Sequence, residues 1–320
     1  HCAGSSTTTS DYNVALGYLS QRCFTSGACN ISMGYQALRG SSTPADNTGT
    51  HNVAIGVHAG ELLCSGDKNI LIGCKAGNSI TSGGENVYIG GDAGCQTTTG
   101  LKNVAIGYRA GFCKTTASGN IMIGAKAGEA NDGQYNTYIG ECTGRCNCGD
   151  SNVAIGKWAG LRIGQLGTGN NCRNTIIGSF AGCALCVSCR NVLIGYGVEI
   201  GNNASEQLVI GNDANVNTHW LVGNSDYNVG IGTTNPNAPV TSANTKKLSV
   251  GILSAYMLYG DGSNLTNVSG GGGSGGCLKL IATSNLVSDG LCAGCNLSGA
   301  TDNILLGCGA GCDLTSGDHN

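Results

Sequence analysis

Residues 52–60 read NVAIGVHAG, residues 103–111 read NVAIGYRAG and residues 152–160 read NVAIGKWAG. The unit is an asparagine, three apolar residues, a glycine, two free positions and an Ala-Gly pair. Working outward, the core Asn-x-x-x-Gly starts at Asn13, Asn30, Asn52, Asn69, Asn86, Asn103, Asn120, Asn136, Asn152, Asn174 and Asn191, and returns at Asn228 and Asn303. Most steps are 17 residues; two are 16 (Asn120 to Asn136 to Asn152) and two are 22 (Asn30 to Asn52, Asn152 to Asn174). A constant step with occasional insertions is the mark of a solenoid, each coil repeating one unit while extra residues bulge out as loops. The insertions are Ser41–Thr50 and the region around Gly164–Asn171, both polar and turn-rich.

Seventeen residues without a 3.6-residue period do not hold a helix-turn-helix unit. They hold two short strands and two turns, one coil of a parallel β-roll. Coils stack about 4.8 Å apart, so the array from Asn13 to Asn191 makes a rod about 50 Å long. The expected fold class is therefore all-β, a β-solenoid of 17-residue coils.

Composition agrees. The 320 residues include 56 Gly but only 3 Pro, with 5% aromatic and 11% charged residues. Glycine occurs without a Gly-X-Y triplet, which excludes collagen, and 40% hydrophobic residues argue against plain disorder. The net charge of −3 is spread singly along the chain. No basic cluster offers a nucleic-acid footprint, and no apolar run is long enough for a transmembrane helix.

Each position of the unit has its own chemistry. The residue after the asparagine is Val, Ile or Thr, and the residue two further on is Leu, Met or Ile. Alternation predicts that this pair points into the coil. The residue between them is then expected outside, yet it is Ala15, Leu71, Tyr88, Met122, Tyr138 or Leu193 rather than a charged side chain. A strand apolar on both faces is covered on both faces, so a second chain is expected to cover the outer one. The residues that set the repeat are Asn52, Ile55 and Gly56, with their equivalents Asn69, Ile72 and Gly73, Asn103, Ile106 and Gly107, and Asn152, Ile155 and Gly156. Their expected role is structural: the asparagines as a stacked amide ladder, the glycines where a side chain would clash or φ is positive.

Nineteen cysteines point first to disulfides in an oxidising setting. Cys172 and Cys189 each lie two residues before a core asparagine in adjacent coils and form the candidate intrachain bridge. The clusters Cys142, Cys146, Cys148 and Cys183, Cys186, Cys189 lack the paired spacing of a metal ribbon. No metal, cofactor or catalytic residue is assigned. His51 and His319 share a phase without forming a His-x-His pair. Glu61 and Glu129 share a phase four coils apart, and Asp92, Glu141 and Asp150 stand alone. Asn-x-Ser/Thr sequons at Asn30, Asn203, Asn264, Asn267 and Asn296 are expected by chance at this composition.

The NVAIG-x-x-Ala-Gly pattern resembles the head repeats of YadA-type trimeric autotransporter adhesins, whose period is about three residues shorter. It resembles more closely the repeat regions of bacteriophage and other viral tail-fibre proteins. The segments QLVIG (207–211), NVGIGTTNPNAPV (228–240) and GDGSNLTN (260–267) are similar to stretches of such fibres. The resemblance implies a left-handed roll intertwined as a homotrimeric fibre. It implies a structural protein of a virion tail fibre or spike that presents an end to a host-cell receptor or glycan, with itself as partner. The alternatives are a bacterial trimeric surface adhesin or extracellular filament, and a glycan-degrading solenoid enzyme. The chain divides into four segments: residues 1–200 as the main array, 201–235 as closing coils, 236–276 as a transition ending in SGGGGSGG (269–276), and 277–320 as the start of a second array.

Overall fold

The computed structural model describes residues 3–231, apart from 6–8, 44–45, 114–115, 131, 147–148, 163–172, 186–187, 202–203, 213–218 and 226–228, together with two strands at 287–289 and 304–306. The chain divides into two compact units, His1–Leu248 and Ser249–Asn320. The transition at 236–276, with its glycine tract, lies outside the described residues, as do the insertion around Gly164–Asn171, Cys148, Cys172, Cys186 and His319. So do the sequons at Asn203, Asn264, Asn267 and Asn296.

In the first unit every core becomes a three-residue strand: β1 (Val14–Leu16), β2 (Ile31–Met33), β3 (Val53–Ile55), β4 (Ile70–Ile72), β5 (Val87–Ile89), β6 (Val104–Ile106), β7 (Ile121–Ile123), β8 (Thr137–Ile139), β9 (Val153–Ile155), β10 (Thr175–Ile177) and β11 (Val192–Ile194). They are followed by β12 (Leu208–Ile210), β13 (Leu221–Gly223) and β14 (Val229–Ile231). All fourteen lie in one sheet in sequence order. β1 to β12 are parallel and pair residue for residue, Ile70 with Val87 and Leu71 with Tyr88 for example. The 22-residue steps leave the register intact: Val53 pairs with Ile31, and Thr175 with Val153.

Left-handed backbone at both ends keeps the strands short. Lys68 (φ 57°) precedes Asn69, and Gly73 (φ 134°) follows Ile72. Equivalent residues repeat this in nearly every rung, many with ordinary side chains, such as His51, Glu85, Lys102 and Arg173. A left-handed non-glycine residue costs about 1 kcal/mol, and bonds between rungs offset it: the Lys68 N–H donates to the Thr50 carbonyl at 2.9 Å. The expected second strand is absent from the described coils. The rest of each rung is a series of turns, yet still stacked, as in Gly60 N–H to Ala76 C=O (2.9 Å) and Leu62 N–H to Asn78 C=O (3.0 Å). Most backbone groups are satisfied on the neighbouring rung and the rest by turns within the rung, such as Leu63 N–H to Gly60 C=O (3.1 Å), which is what makes so narrow a coil stable.

The orientation expected for the strand is reversed. Leu71 is fully buried and Ile70 is 39% exposed; the same pattern, middle residue inside and flanking residues outside, holds in β2 to β12. The physical reason is parity. The asparagine side chain is turned into the coil, and alternation places the residue two further on, not the next one, on that same inner side.

The middle position varies in size from rung to rung: Ala54, Leu71 and Tyr88 are all fully buried, as are Leu63, Ile80 and Thr97 of the same rungs. The Tyr88 hydroxyl donates to Thr97 Oγ1 at 3.3 Å, and burial pushes its pKa up to about 12. Its ring lies where a Cβ on Gly94 would stand, only 2.4 Å away. We expect Leu71→Ala to cost about 3 kcal/mol, whereas Ile72→Ala, on the outer side of the same strand, costs under about 1 kcal/mol in an isolated chain. Denaturant midpoints of the two variants, measured under conditions where the chain is monomeric, check this. Equal losses would contradict the orientation.

The parallel stack ends with a change of direction. β13 pairs antiparallel with both β12 and β14, so the last parallel edge is covered by a hairpin. Val209 and Val222 are buried there, and His219 is buried with Nε2 unpartnered, its pKa pushed below the ordinary value by that burial.

In the second unit β15 (Val287–Asp289) pairs parallel with β16 (Ile304–Leu306), 17 residues on. The rung at β15 escapes the asparagine pattern because Leu286 occupies that position.

Candidate interaction face

The outer positions of β1 to β12 make one continuous strip. They are Val, Ile, Leu or Met in every strand except for Thr137 and Thr175, and none is charged. Ile55, Ile72, Ile106 and Ile155 lie in its second column, half-buried by their neighbours along the rod and open on the outer side. The columns stand about 6.6 Å apart and the rungs about 4.8 Å, so the strip is about 50 Å long. Length and column spacing together outline about 330 Å² of apolar strip, within the range of the largest patch on an ordinary monomer.

Its two borders are polar or aromatic. On one side run the left-handed residues that precede the asparagines, among them His51, Lys68, Glu85 and Lys102. Along the other border Tyr18 and Tyr35 stack at 5.6 Å, with His58 edge-on to Tyr35 at 5.2 Å. Farther along, Trp158, Phe180 and Tyr196 pile at 5.3 and 5.9 Å. An apolar centre with an aromatic and charged rim is the anatomy of a protein–protein interface.

The asparagines are on the opposite, inner side of the same sheet. Asn69 Nδ2 donates to Asn52 Oδ1 (3.0 Å) and to the Gly83 carbonyl (2.9 Å), while its Oδ1 accepts from the Asn86 backbone N–H and from Asn86 Nδ2, both at 3.1 Å. Asn103 repeats the pattern with Asn86 and Ala117, and Asn152 accepts from the Asn174 backbone and side-chain amides at 3.0 Å. Every core asparagine from Asn30 to Asn191 is buried. The closing glycines approach the next rung: a Cβ on Gly56, Gly73, Gly107 or Gly156 would lie 2.5 to 2.7 Å from the carbonyl oxygen of the following one.

Four of the acidic residues singled out from the sequence, Glu61, Glu129, Glu141 and Asp150, are engaged by the scaffold. Glu129, almost fully buried, is held between Arg109 Nε (2.9 Å) and Arg145 Nε (2.6 Å), and that pairing pushes the Arg145 pKa up. Glu61 pairs with Arg39 (2.9 Å) and with His58 (2.8 Å). Glu141 pairs with Lys157, and Asp150 Oδ1 accepts from the Gln134 N–H at 2.7 Å. His51 is exposed beside the Thr50 hydroxyl. Within the insertion Ser41–Thr50, buried Asn47 donates to the carbonyls of Cys23 and Ser41 and accepts from the Ser41 N–H, which ties the loop to the rod.

Among the described residues no group of three His, Cys, Asp or Glu side chains is placed to hold a metal ion, and no helix is long and apolar enough to cross a membrane. Cys189 is partly buried; its candidate partner Cys172 lies outside the described residues. Burial pushes the Cys95, Cys113 and Cys142 thiols up, and burial with a hydrogen bond to Glu199 takes Cys183 to about 12. Thiols held protonated in this way are poor nucleophiles at neutral pH. The one functional feature misread from sequence is which half of the strand forms the outer strip. The signal was present in the asparagine itself, whose amide needs inward partners and so fixes the parity.

Comparison with protein-family models, with curated proteins and with solved structures gives no match.

Proposed function

We propose that this chain is the shaft of a homotrimeric fibre, a structural protein of a viral tail fibre or spike that carries a host-receptor-binding end, without catalytic turnover. The observation that carries this reading is the uncharged strip along all twelve parallel rungs. Three such strips turned towards a common threefold axis each press against the other two, so that none remains in water. The rod shape suits reach. Glu61, Glu129, Glu141 and Glu206 are tied into ion pairs, and the loop at Ser41–Thr50 is anchored through Asn47. A bacterial surface adhesin or extracellular filament built on the same roll would use the strip in the same way. The two differ in the element joined to the array: a membrane-anchoring barrel for the adhesin, a receptor-binding tip or chaperone for the virus.

The test is the mass in solution by light scattering, with reductant present. The expected value is three times the 32.1 kDa chain mass. The double variant Ile72→Lys/Ile106→Lys is expected to give one chain mass with an unchanged β-type circular dichroism spectrum. A wild-type chain that stays monomeric at high micromolar concentration would overturn the reading.

A further inference from the structure

We propose that Cys95 and Cys113 are a disulfide site, a redox-set staple joining the rung of β5 to the rung of β6. The two are nine and ten residues past their asparagines, Asn86 and Asn103, so they do not share a phase. The stacking nevertheless brings them together. Gly94 N–H donates to Ala110 C=O and Gln96 N–H to Phe112 C=O, both at 2.9 Å, which sets Cys95 beside Phe112, one residue from Cys113. A rung step of about 4.8 Å and a chain step of about 3.8 Å, taken at right angles, give a Cα separation of about 6 Å. That lies inside the range a disulfide spans.

Both residues are also partly exposed rather than packed into the core. Gly94 and Thr97 flank Cys95 on the buried side and Gly111 precedes Cys113 there, whereas Cys95, Phe112 and Cys113 are partly exposed. Burial is the main cause of the raised Cys95 pKa, and Cys113 is near enough to add to it. A shared phase does not by itself bring two cysteines this close: Cys113 and Cys146 share one but stand two rungs apart, about 10 Å.

The reaction needs a disulfide oxidant, here glutathione disulfide. One protein thiolate attacks it, forming a mixed disulfide and expelling a glutathione thiolate. The second protein thiolate then attacks the protein sulfur of that mixed disulfide and expels the second glutathione. Two protein thiols lose two hydrogens, and one glutathione disulfide becomes two thiols. Because burial raises both pKa values, the thiolate is scarce at neutral pH, and closure accelerates as pH rises from 7 to 9.

The experiment incubates the full chain with glutathione disulfide at pH 7 and 9, blocks remaining thiols with an alkylating agent, and maps peptides by mass spectrometry. The expected result is a linked peptide containing Cys95 and Cys113, formed faster at pH 9. Cys95→Ser is expected to leave Cys113 alkylated or singly glutathionylated. Proteolysis within 95–113 slows about tenfold or more in the linked form, because the closed loop restricts the unfolded rung. Recovery of both cysteines alkylated, as stable mixed disulfides, or bridged to other residues under conditions that oxidise the rest would overturn the proposal. This outcome is independent of the oligomeric state.

Discussion

Asn69→Ala is expected to destabilise the array by about 5 kcal/mol. The substitution removes four hydrogen bonds at once, two donated by Asn69 Nδ2 and two accepted by its Oδ1. It strands the Gly83 carbonyl, the Asn86 backbone N–H and one Asn86 amide hydrogen in a rung whose asparagines are fully buried. Each unsatisfied buried group costs about 1–3 kcal/mol, and a chain of mutually polarised amides loses more than its isolated pairs. In a linear repeat the damage stays local, so amide exchange should accelerate at Asn86 and its neighbours while β10 and β11 keep their protection. A loss below about 1 kcal/mol in denaturant, or uniform exchange along the rod, would show that the ladder is not what binds the rungs.

The second large effect is expected for Gly73→Ala, about 4 kcal/mol. The added Cβ would sit 2.5 Å from the Gly90 carbonyl oxygen and 2.7 Å from its carbon, backbone atoms that cannot swing aside, at a φ of 134° that L side chains rarely adopt. Gly91→Ala is the matched control. Its Cβ meets only a ring carbon of Tyr108, at 3.6 Å, with no left-handed requirement, so a shift within about 0.5 kcal/mol is expected. Thermal melts of the pair read the difference directly. Equal melting temperatures would mean that the rungs can separate to admit a methyl group, and the close-packed picture would fail.

The repeat period, the register and the roles of asparagine and glycine were all legible in the residues. A fixed step places equivalent positions one above another, and a polar amide that recurs at every step has to be satisfied by its own copies. The 22-residue steps were readable as loops because the pairing of Ile31 with Val53 requires the extra residues to leave the stack. The strand at Val287–Asp289 was hidden, since Leu286 replaces the asparagine and only pairing with Ile304–Leu306 reveals the rung.

Leu71 and Ile72 separate what sequence determines from what the fold decides. Both are aliphatic neighbours in one strand, and their hydrophobicity says only that each prefers to leave water. Sequence alone therefore established a one-dimensional stack of apolar cores bounded by asparagine and glycine. The second strand expected in each coil is replaced by turns in the described coils. Tertiary structure decided which side closes on itself. The asparagine turns inward to reach Asn52 and Gly83, alternation carries Leu71 in with it, and Ile70 and Ile72 are left outside. The same stacking sets Cys95 beside Phe112, one residue from Cys113, a neighbourhood that depends on the pitch of the coil and not on a shared phase.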